Sequence, residues 1–90
     1  MRVLLAEDDK KIAFSIIKGL KQEDFAVNHV TNGEDGFHLV LHEPYDVALV
    51  DIILPELNGL SLIGEMRRSK VSTPVIILST KSSVEDRGNF

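Results

Sequence analysis

Four polar residues that are suited to phosphoryl chemistry stand at the ends of apolar runs in this chain. Glu7 and Asp8 follow residues 3–6, Asp51 follows residues 47–50, and Ser79 follows residues 75–78. Hard oxygen ligands without His or Cys favour Mg²⁺, which also binds phosphate oxygens. A carboxylate such as that of Asp51 is a known nucleophile towards phosphoryl groups, and a hydroxyl such as that of Ser79 can bond to phosphoryl oxygens. These residue types would allow phosphoryl transfer to Asp51, which is one of two interpretations of the pattern.

Each acidic residue also has a structural interpretation. Asp51 is compatible with a loop residue that turns the chain towards Pro55. The triplet Glu7-Asp8-Asp9 is compatible with a solvated loop in which Asp9 caps the following helix. If the strand ends meet, however, two carboxylates roughly 4 Å apart repel by about 4 kcal/mol at an effective dielectric of about 20, so three together require a cation or a proton.

Histidine supplies a second candidate site. His38 and His42 are four residues apart in a predicted helix, a spacing that could place two imidazoles on one metal ion. No third ligand is apparent, and short motifs of this kind match by chance. We interpret His29 as a residue on the surface of a strand.

Apolar runs and helical stripes alternate along the chain. We predict strands at residues 3–6, 25–30, 47–50 and 75–78, the third covered on both faces. Helical stripes are formed by three sets of residues: Ile12, Ala13, Ile16, Ile17 and Leu20; Gly36, Phe37, Val40 and Leu41; and Leu60, Ile63 and Met66. Asn32-Gly33 is interpreted as one turn and Pro55, Asn58 and Gly59 as another, and Ser83 is interpreted as the cap of a last helix.

This order predicts an α/β fold, a doubly wound parallel sheet with helices on both faces. The carboxyl ends of parallel strands lie on one side of the sheet, where open α/β sheets bind their ligands. Glu7, Asp8, Asp51 and Ser79 are therefore expected to meet there.

The totals fit one small domain. The chain of 90 residues is 43% hydrophobic and 27% charged, as in ordinary globular proteins. Its net charge of -4 has the wrong sign for non-specific binding to nucleic acid. Its apolar runs are too short to span a membrane, and it contains no cysteine, so we expect a cytoplasmic protein without a membrane partner.

Three motifs in this order resemble the receiver domain of two-component response regulators. They are Leu4-Leu5-Ala6-Glu7-Asp8-Asp9, Asp46-Val47-Ala48-Leu49-Val50-Asp51-Ile52-Ile53-Leu54-Pro55-Glu56-Leu57-Asn58-Gly59, and Thr73-Pro74-Val75-Ile76-Ile77-Leu78-Ser79-Thr80. The resemblance implies a flavodoxin-like fold with strand order 2-1-3-4 and three to four helices. It also implies that Asp51 is the phosphoacceptor, that Glu7, Asp8, Asp51 and the carbonyl of Ile53 hold Mg²⁺, and that Ser79 is the switch hydroxyl.

The resemblance also implies partners. A histidine kinase would donate the phosphoryl group and dock near the first helix, with Ile12 and Phe14 as contacts. The chain looks most like receivers that precede a winged-helix DNA-binding domain, so DNA would be bound only through an output domain that is absent here. Such a module is a switch, not a metabolic enzyme.

The sequence departs from the family pattern at its end, before the family's fifth strand and fifth helix and the lysine after that strand. We therefore interpret residues 1–90 as a single incomplete receiver domain, and we expect the exposed fourth strand to promote self-association. The alternative hypothesis is a catalytically silent unit for folding or assembly. A Mg²⁺-dependent phosphatase is disfavoured, because such enzymes carry a second Asp at the position of Ile53.

Overall fold

The computed structural model describes residues 1–79. Its elements are β1 (Arg2–Ala6), α1 (Lys10–Gln22), β2 (Ala26–Val30), α2 (Gly33–His42), β3 (Val47–Asp51), α3 (Gly59–Arg68) and β4 (Val75–Leu78). The four strands are parallel in the order β2-β1-β3-β4. The predicted α/β fold and strand order are therefore confirmed. The helix predicted after Ser83 lies outside the described residues.

The main core lies between the sheet and the helices α2 and α3. It is formed by buried residues from both layers: Leu4, Ala6, Val40, Tyr45, Ala48, Val50, Leu54, Leu62 and Met66. Side chains alternate along a strand, so Val3 and Leu5 of β1 point to the opposite face, where they are also buried. The connection from β1 to β2 crosses the sheet in one direction, and the connections to β3 and β4 cross it in the other. Because all of them are right-handed, α1 lies on the second face, opposite α2 and α3.

Strand β3 is fully covered on one face only. Ala48 and Val50 are buried towards α2 and α3, whereas Val47 and Leu49 are half-buried. The prediction that this strand is covered on both faces is thus confirmed for the face towards α2 and α3, whereas the other face is only partly covered. The crossover from β1 to β2 carries α1 over those two strands, which leaves the same face of β3 less covered.

Each described helix begins at a side-chain cap. The side chain of Asp9 accepts a hydrogen bond from the N–H of Ile12 at 3.0 Å, as predicted. Asn32 and Asn58 cap α2 and α3 in the same way. The chain bends before each of these helices, as predicted, but the two glycines belong to the helices and not to the turns. In both Asn-Gly pairs the Asn is the cap and the Gly is the first helical residue.

The glycines also set which faces of α2 and α3 are buried. In α3 the buried residues are Gly59, Leu62 and Met66, and Leu60 is 57% exposed. The predicted stripe of Leu60, Ile63 and Met66 is thus wrong at Leu60. Helix α2 has the same spacing, with Gly33, Gly36 and Val40 buried and Leu41 exposed. The predicted stripes are therefore confirmed at Gly36, Val40 and Met66 and wrong at Leu41 and Leu60.

A polar network closes the amino-terminal edge of the sheet. The guanidinium of Arg2 forms an ion pair with Glu43, donates to the carbonyl of Pro44 at 3.1 Å and lies 4.9 Å from the centre of the Tyr45 ring. The hydroxyl of Tyr45 donates to the side-chain oxygen of Asn28 at 3.0 Å. Together these contacts join the start of β1 to β2 and to the segment before β3.

Strand β4 is at the edge of the sheet formed by residues 1–79. It pairs with β3, and its residues Ile76 and Ile77 are 55% and 49% exposed. In this part of the chain, no helix has the length and apolar character needed to cross a membrane.

Candidate acidic site

Three strand ends bring the predicted residues to one edge of the sheet. Ala6 of β1 is in register with Val50 of β3, so Glu7 and Asp51 follow at the same level. Asp51 is in register with Leu78 of β4, and the N–H of Ile52 donates to the carbonyl of Leu78 at 3.0 Å. Ser79 therefore follows β4 at the same edge, and the predicted grouping of strand ends is present.

The carboxylates of Glu7, Asp8 and Asp51 form one cluster. Each offers an oxygen, and these oxygens lie within 4.8 Å of one another. Glu7 and Asp51 are both 0% exposed, whereas Asp8 is exposed. Two carboxylates of the cluster are thus buried, and the third is exposed to solvent.

Backbone donors fix the orientation of the two buried carboxylates. Oε2 of Glu7 accepts a hydrogen bond from the N–H of Asp9 at 2.9 Å, and Oδ1 of Asp51 accepts one from the N–H of Ile53 at 3.0 Å. The ring of His29 bonds through Nε2 to the carbonyl of Glu7 at 2.8 Å, and His29 must be the donor because a carbonyl only accepts. His29 is exposed on β2, as predicted, but its contact with the site was not anticipated.

The loop between β3 and α3, residues 52–58, is held by backbone contacts with two glycines. The N–H of Gly33 donates to the carbonyl of Pro55 at 3.2 Å, and the N–H of Gly59 donates to the carbonyl of Ile52 at 2.9 Å. Sequence analysis missed the part of both glycines in the site. Their position directly after an Asn cap was the available signal.

The chemistry of the cluster fits Mg²⁺. All three side chains present hard oxygen atoms, and no other group of three or more His, Cys, Asp or Glu residues in residues 1–79 has metal-ligand spacing. The rings of His38 and His42 are in contact, tilted by 45° with their centres 4.5 Å apart, but they acquire no third ligand of these types within the same residues. The acidic cluster is therefore the candidate metal site.

The expected docking residues lie on α1. Phe14 is 68% exposed and Ile12 is half-buried, in agreement with the position of Phe14 at the border of the apolar stripe. On the side of α1 that faces the sheet, Ala13 is buried. Phe14 thus presents an aromatic ring to solvent near the amino-terminal half of the helix.

A parallel sheet of this order with an acidic pocket at its carboxyl edge defines a flavodoxin-like receiver fold. Residues 3–90 match the family model for the response regulator receiver domain. The chain belongs to this family. Receiver domains are signalling switches of two-component systems, bind Mg²⁺ in their active site, and interact with histidine kinases and output domains.

Similar proteins agree with this assignment. The chain is 45% identical over 87 residues to the cell cycle response regulator CtrA of Brucella ovis, and 37% identical over 87 residues to the probable transcriptional regulatory protein SilR of Salmonella typhimurium. Each match covers 97% of this chain and 38% of the relative, so the chain spans well under half the length of these relatives.

Solved structures share the fold. The receiver domain of the Francisella response regulator 1452 superposes with a TM-score of 0.82 at 35% identity, over 93% of this chain and 73% of that one. The receiver domain of the sensor histidine kinase PA1611 from Pseudomonas aeruginosa superposes with a TM-score of 0.85 at 28% identity, over 97% and 73% of the two chains. The latter structure has a magnesium ion coordinated in its active site cleft.

Proposed function

We propose that this chain is a phosphoacceptor module that takes a phosphoryl group on Asp51 from a histidine kinase. The observation that carries the proposal is the position of Asp51, a fully buried carboxylate within 4.8 Å of two others at the carboxyl edge of a parallel sheet. Such a cluster is costly without a cation, because like charges at these distances repel strongly. Membership of the receiver family supports the same role.

Four groups would hold Mg²⁺: the carboxylates of Glu7, Asp8 and Asp51 and the carbonyl of Ile53. The ion would neutralise charge on the incoming phosphoryl oxygens. The hydrogen bond from the N–H of Ile53 occupies Oδ1 of Asp51 and fixes the plane of the carboxylate. The exposed side chain of Asp8 marks the side from which a donor can approach.

In the transfer step, a carboxylate oxygen of Asp51 forms a bond to phosphorus while the bond from phosphorus to the kinase's imidazole nitrogen breaks. The released imidazole keeps the electron pair of that bond. The hydroxyl of Ser79 donates to an oxygen of the transferred group. Later attack by water on the aspartyl phosphate restores the carboxylate and releases inorganic phosphate, so the module acts as a switch that resets.

The partners follow from the same proposal. The kinase docks on α1, where the exposed Phe14 and the half-buried Ile12 provide apolar contacts. DNA is reached only through an output domain, in line with the transcriptional role named for the relative SilR. The cytoplasm is the compartment in which kinase and receiver meet.

We also propose self-association through β4, supported by the exposure of Ile76 and Ile77 on the strand at the edge of the sheet that residues 1–79 form. Light scattering at micromolar concentration should show a species heavier than one chain. The variant Ile76→Lys should shift the population towards monomer, because a charge on an edge strand opposes pairing. A clean monomer for the unsubstituted chain would contradict the proposal.

Acetyl phosphate with Mg²⁺ tests the acceptor role. Mass spectrometry should detect one added phosphoryl group, which should be absent in Asp51→Asn and retained in the control Asp24→Asn, whose carboxylate is exposed and far from the cluster in sequence. The proposal fails if the chain gains no phosphoryl group or if Asp51→Asn gains the same mass. Mg²⁺ binding without phosphorylation would instead support the silent folding or assembly unit.

A further inference from the structure

We infer that Gly33, the first residue of α2, is a positioning residue for the Mg²⁺ site because it seats the loop of residues 52–58. The inference rests on the proposed role of Mg²⁺. Gly33 lies outside the acidic cluster and would act only through the loop. Three features of the structure support it: the attachment of the loop to Asp51, the strained backbone of the loop, and the close contact with Gly33.

The loop is attached directly to the acidic cluster. It begins at the residue after Asp51, and the N–H of Ile53 donates to Oδ1 of Asp51 at 3.0 Å. The carbonyl that we propose as a metal ligand belongs to the same residue, Ile53. A displacement of the loop therefore changes both the orientation of the Asp51 carboxylate and the position of the carbonyl.

The middle of the loop adopts a conformation that it would not favour alone. Glu56 and Leu57 have φ angles of 56° and 108°, in a region that residues with a β-carbon rarely adopt. Such conformations are unfavourable and persist only where neighbouring structure holds them. The loop therefore requires external contacts to keep this shape.

Gly33 supplies such contacts at the strained position. Its N–H donates to the carbonyl of Pro55 at 3.2 Å. A β-carbon on Gly33 would lie 1.7 Å from the carbonyl oxygen of Leu57 and 2.8 Å from its β-carbon. The loop thus packs into the space that any other residue's side chain would fill.

Helix α2 cannot easily move away to make room. Asn32 caps it through a 2.8 Å hydrogen bond from the N–H of Asp35, and a β-carbon on Gly36 would already lie 3.3 Å from Leu62. Val40, one turn further on, belongs to the main core. A methyl group at position 33 would therefore displace the loop by about 1 Å or more, because the packed helix yields less than the loop does.

The test compares Gly33→Ala with Gly19→Ala, a glycine in α1 whose added β-carbon would meet nothing within 4 Å. Calorimetric titration with Mg²⁺ should give a dissociation constant about 10–100-fold higher for Gly33→Ala, as for lost outer-shell contacts at metal sites, and an unchanged constant for Gly19→Ala. Circular dichroism should show that both variants are folded. A folded Gly33→Ala that binds Mg²⁺ as tightly as the unsubstituted chain would overturn the inference.

A second measurement needs no substitution at position 33. In the unsubstituted chain, the amide resonances of Gly33 and Ile53 should shift with the same Mg²⁺ midpoint, while that of Gly19 should not shift. If Gly33→Ala does not fold, this measurement tests the inference in its place. A Gly33 resonance that does not shift when Mg²⁺ is added would refute the inference. If the unsubstituted chain shows no saturable binding of Mg²⁺ in the titration, that result contradicts the proposed metal site itself.

Discussion

Gly59 packs directly against the backbone of Asp51: a β-carbon on Gly59 would lie 2.1 Å from the carbonyl oxygen of Asp51. The start of α3 is therefore in contact with the end of the strand that carries the proposed phosphoacceptor. This contact fixes the rotation of α3, since Leu62 and Met66 lie on the same helical face as Gly59.

We predict opposite effects for two Gly→Ala substitutions in α3. Gly59→Ala should lower the free energy of unfolding by about 1–3 kcal/mol or more, because the methyl group forces the backbone apart. Gly64→Ala should raise it by up to about 1 kcal/mol, because its β-carbon would meet nothing within 4 Å and Ala favours helix. Urea unfolding measures both, and equal effects would contradict the proposed contact.

Removal of Mg²⁺ should destabilise the folded chain. Binding to the folded state alone adds about 2.7 kcal/mol at 100 times the dissociation constant, so a chelator should lower the melting temperature. In the presence of the chelator, Asp51→Asn should be more stable than the unsubstituted chain by about 1 kcal/mol, because the substitution removes one charge of the cluster. The gain is small because Asp8 is exposed, and solvent weakens its repulsion of the other carboxylates.

The same variant should gain less stability from Mg²⁺, and thermal unfolding with and without the ion gives both quantities. Asp24→Asn is the matched control and should respond to Mg²⁺ as the unsubstituted chain does. A larger gain from Mg²⁺ in Asp51→Asn than in the unsubstituted chain would contradict the placement of Asp51 in the metal site.

Asp24 offers a stabilising substitution far from the site. It follows α1 with φ of 63°, and its N–H donates to the carbonyl of Lys21 at 3.0 Å. Glycine adopts this left-handed conformation without strain, and removal of the carboxylate suits the negative end of the helix dipole. Asp24→Gly should therefore raise the free energy of unfolding by about 0.5–1 kcal/mol.

Glu23 is the neighbouring control for this prediction. Its φ is -96°, so glycine relieves no strain there and Glu23→Gly should be neutral or destabilising. Chemical denaturation of the two variants under one condition separates the cases. Stabilisation by both substitutions to the same extent would show that charge, and not backbone conformation, determines the effect.

Tyr45 should make stability depend on alkaline pH. Burial raises the pKa of its hydroxyl above the ordinary value of 10.0; nearby Glu43 raises it further and Arg2 opposes this. Because the pKa of Tyr45 is higher in the folded chain than in the unfolded chain, the protonated hydroxyl adds to the free energy of unfolding. Its contribution is fully present below about pH 10 and is lost as pH rises through the folded pKa.

The measurement is direct because Tyr45 is the only tyrosine and the chain contains no tryptophan. Phenolate absorbance should titrate with a midpoint above the ordinary value in the folded chain and return to that value in urea. Tyr45→Phe should lose this part of the pH dependence and, at neutral pH, about 1 kcal/mol from the lost hydrogen bond to Asn28. A native midpoint at or below the unfolded one would contradict the prediction.

The strands and the acidic cluster could be predicted from sequence because their signals are local. Each buried strand is an unbroken apolar run, and a carboxylate at its end must lie at the carboxyl edge of a parallel sheet. The grouping of Glu7, Asp8 and Asp51 follows from that reasoning, whereas their roles were implied only by the resemblance to receiver domains. Their close approach, within 4.8 Å, depends on the register between β1 and β3, which the sequence alone does not reveal.

The contacts of the glycines could not be predicted, because they depend on space and not on residue type. Gly33 and Gly59 add nothing to a hydrophobic stripe, yet they determine how α2 and α3 meet the rest of the fold. The positive φ angles of Glu56 and Leu57 were equally hidden, since neither residue type favours that conformation. The Asn caps before Gly33 and Gly59 mark where the helices begin, but they do not show which loop or strand each glycine contacts.

The polar network around Arg2 lies at the edge of the sheet opposite the carboxylates. Arg2 begins β1 and Glu7 follows its end, so about 16 Å of strand separates the two groups at the usual rise per residue. Substitutions in the two regions should therefore have nearly additive effects. Changes at Arg2, Asn28 and Tyr45 can therefore alter the thermal stability of the fold while the arrangement of the acidic cluster stays the same.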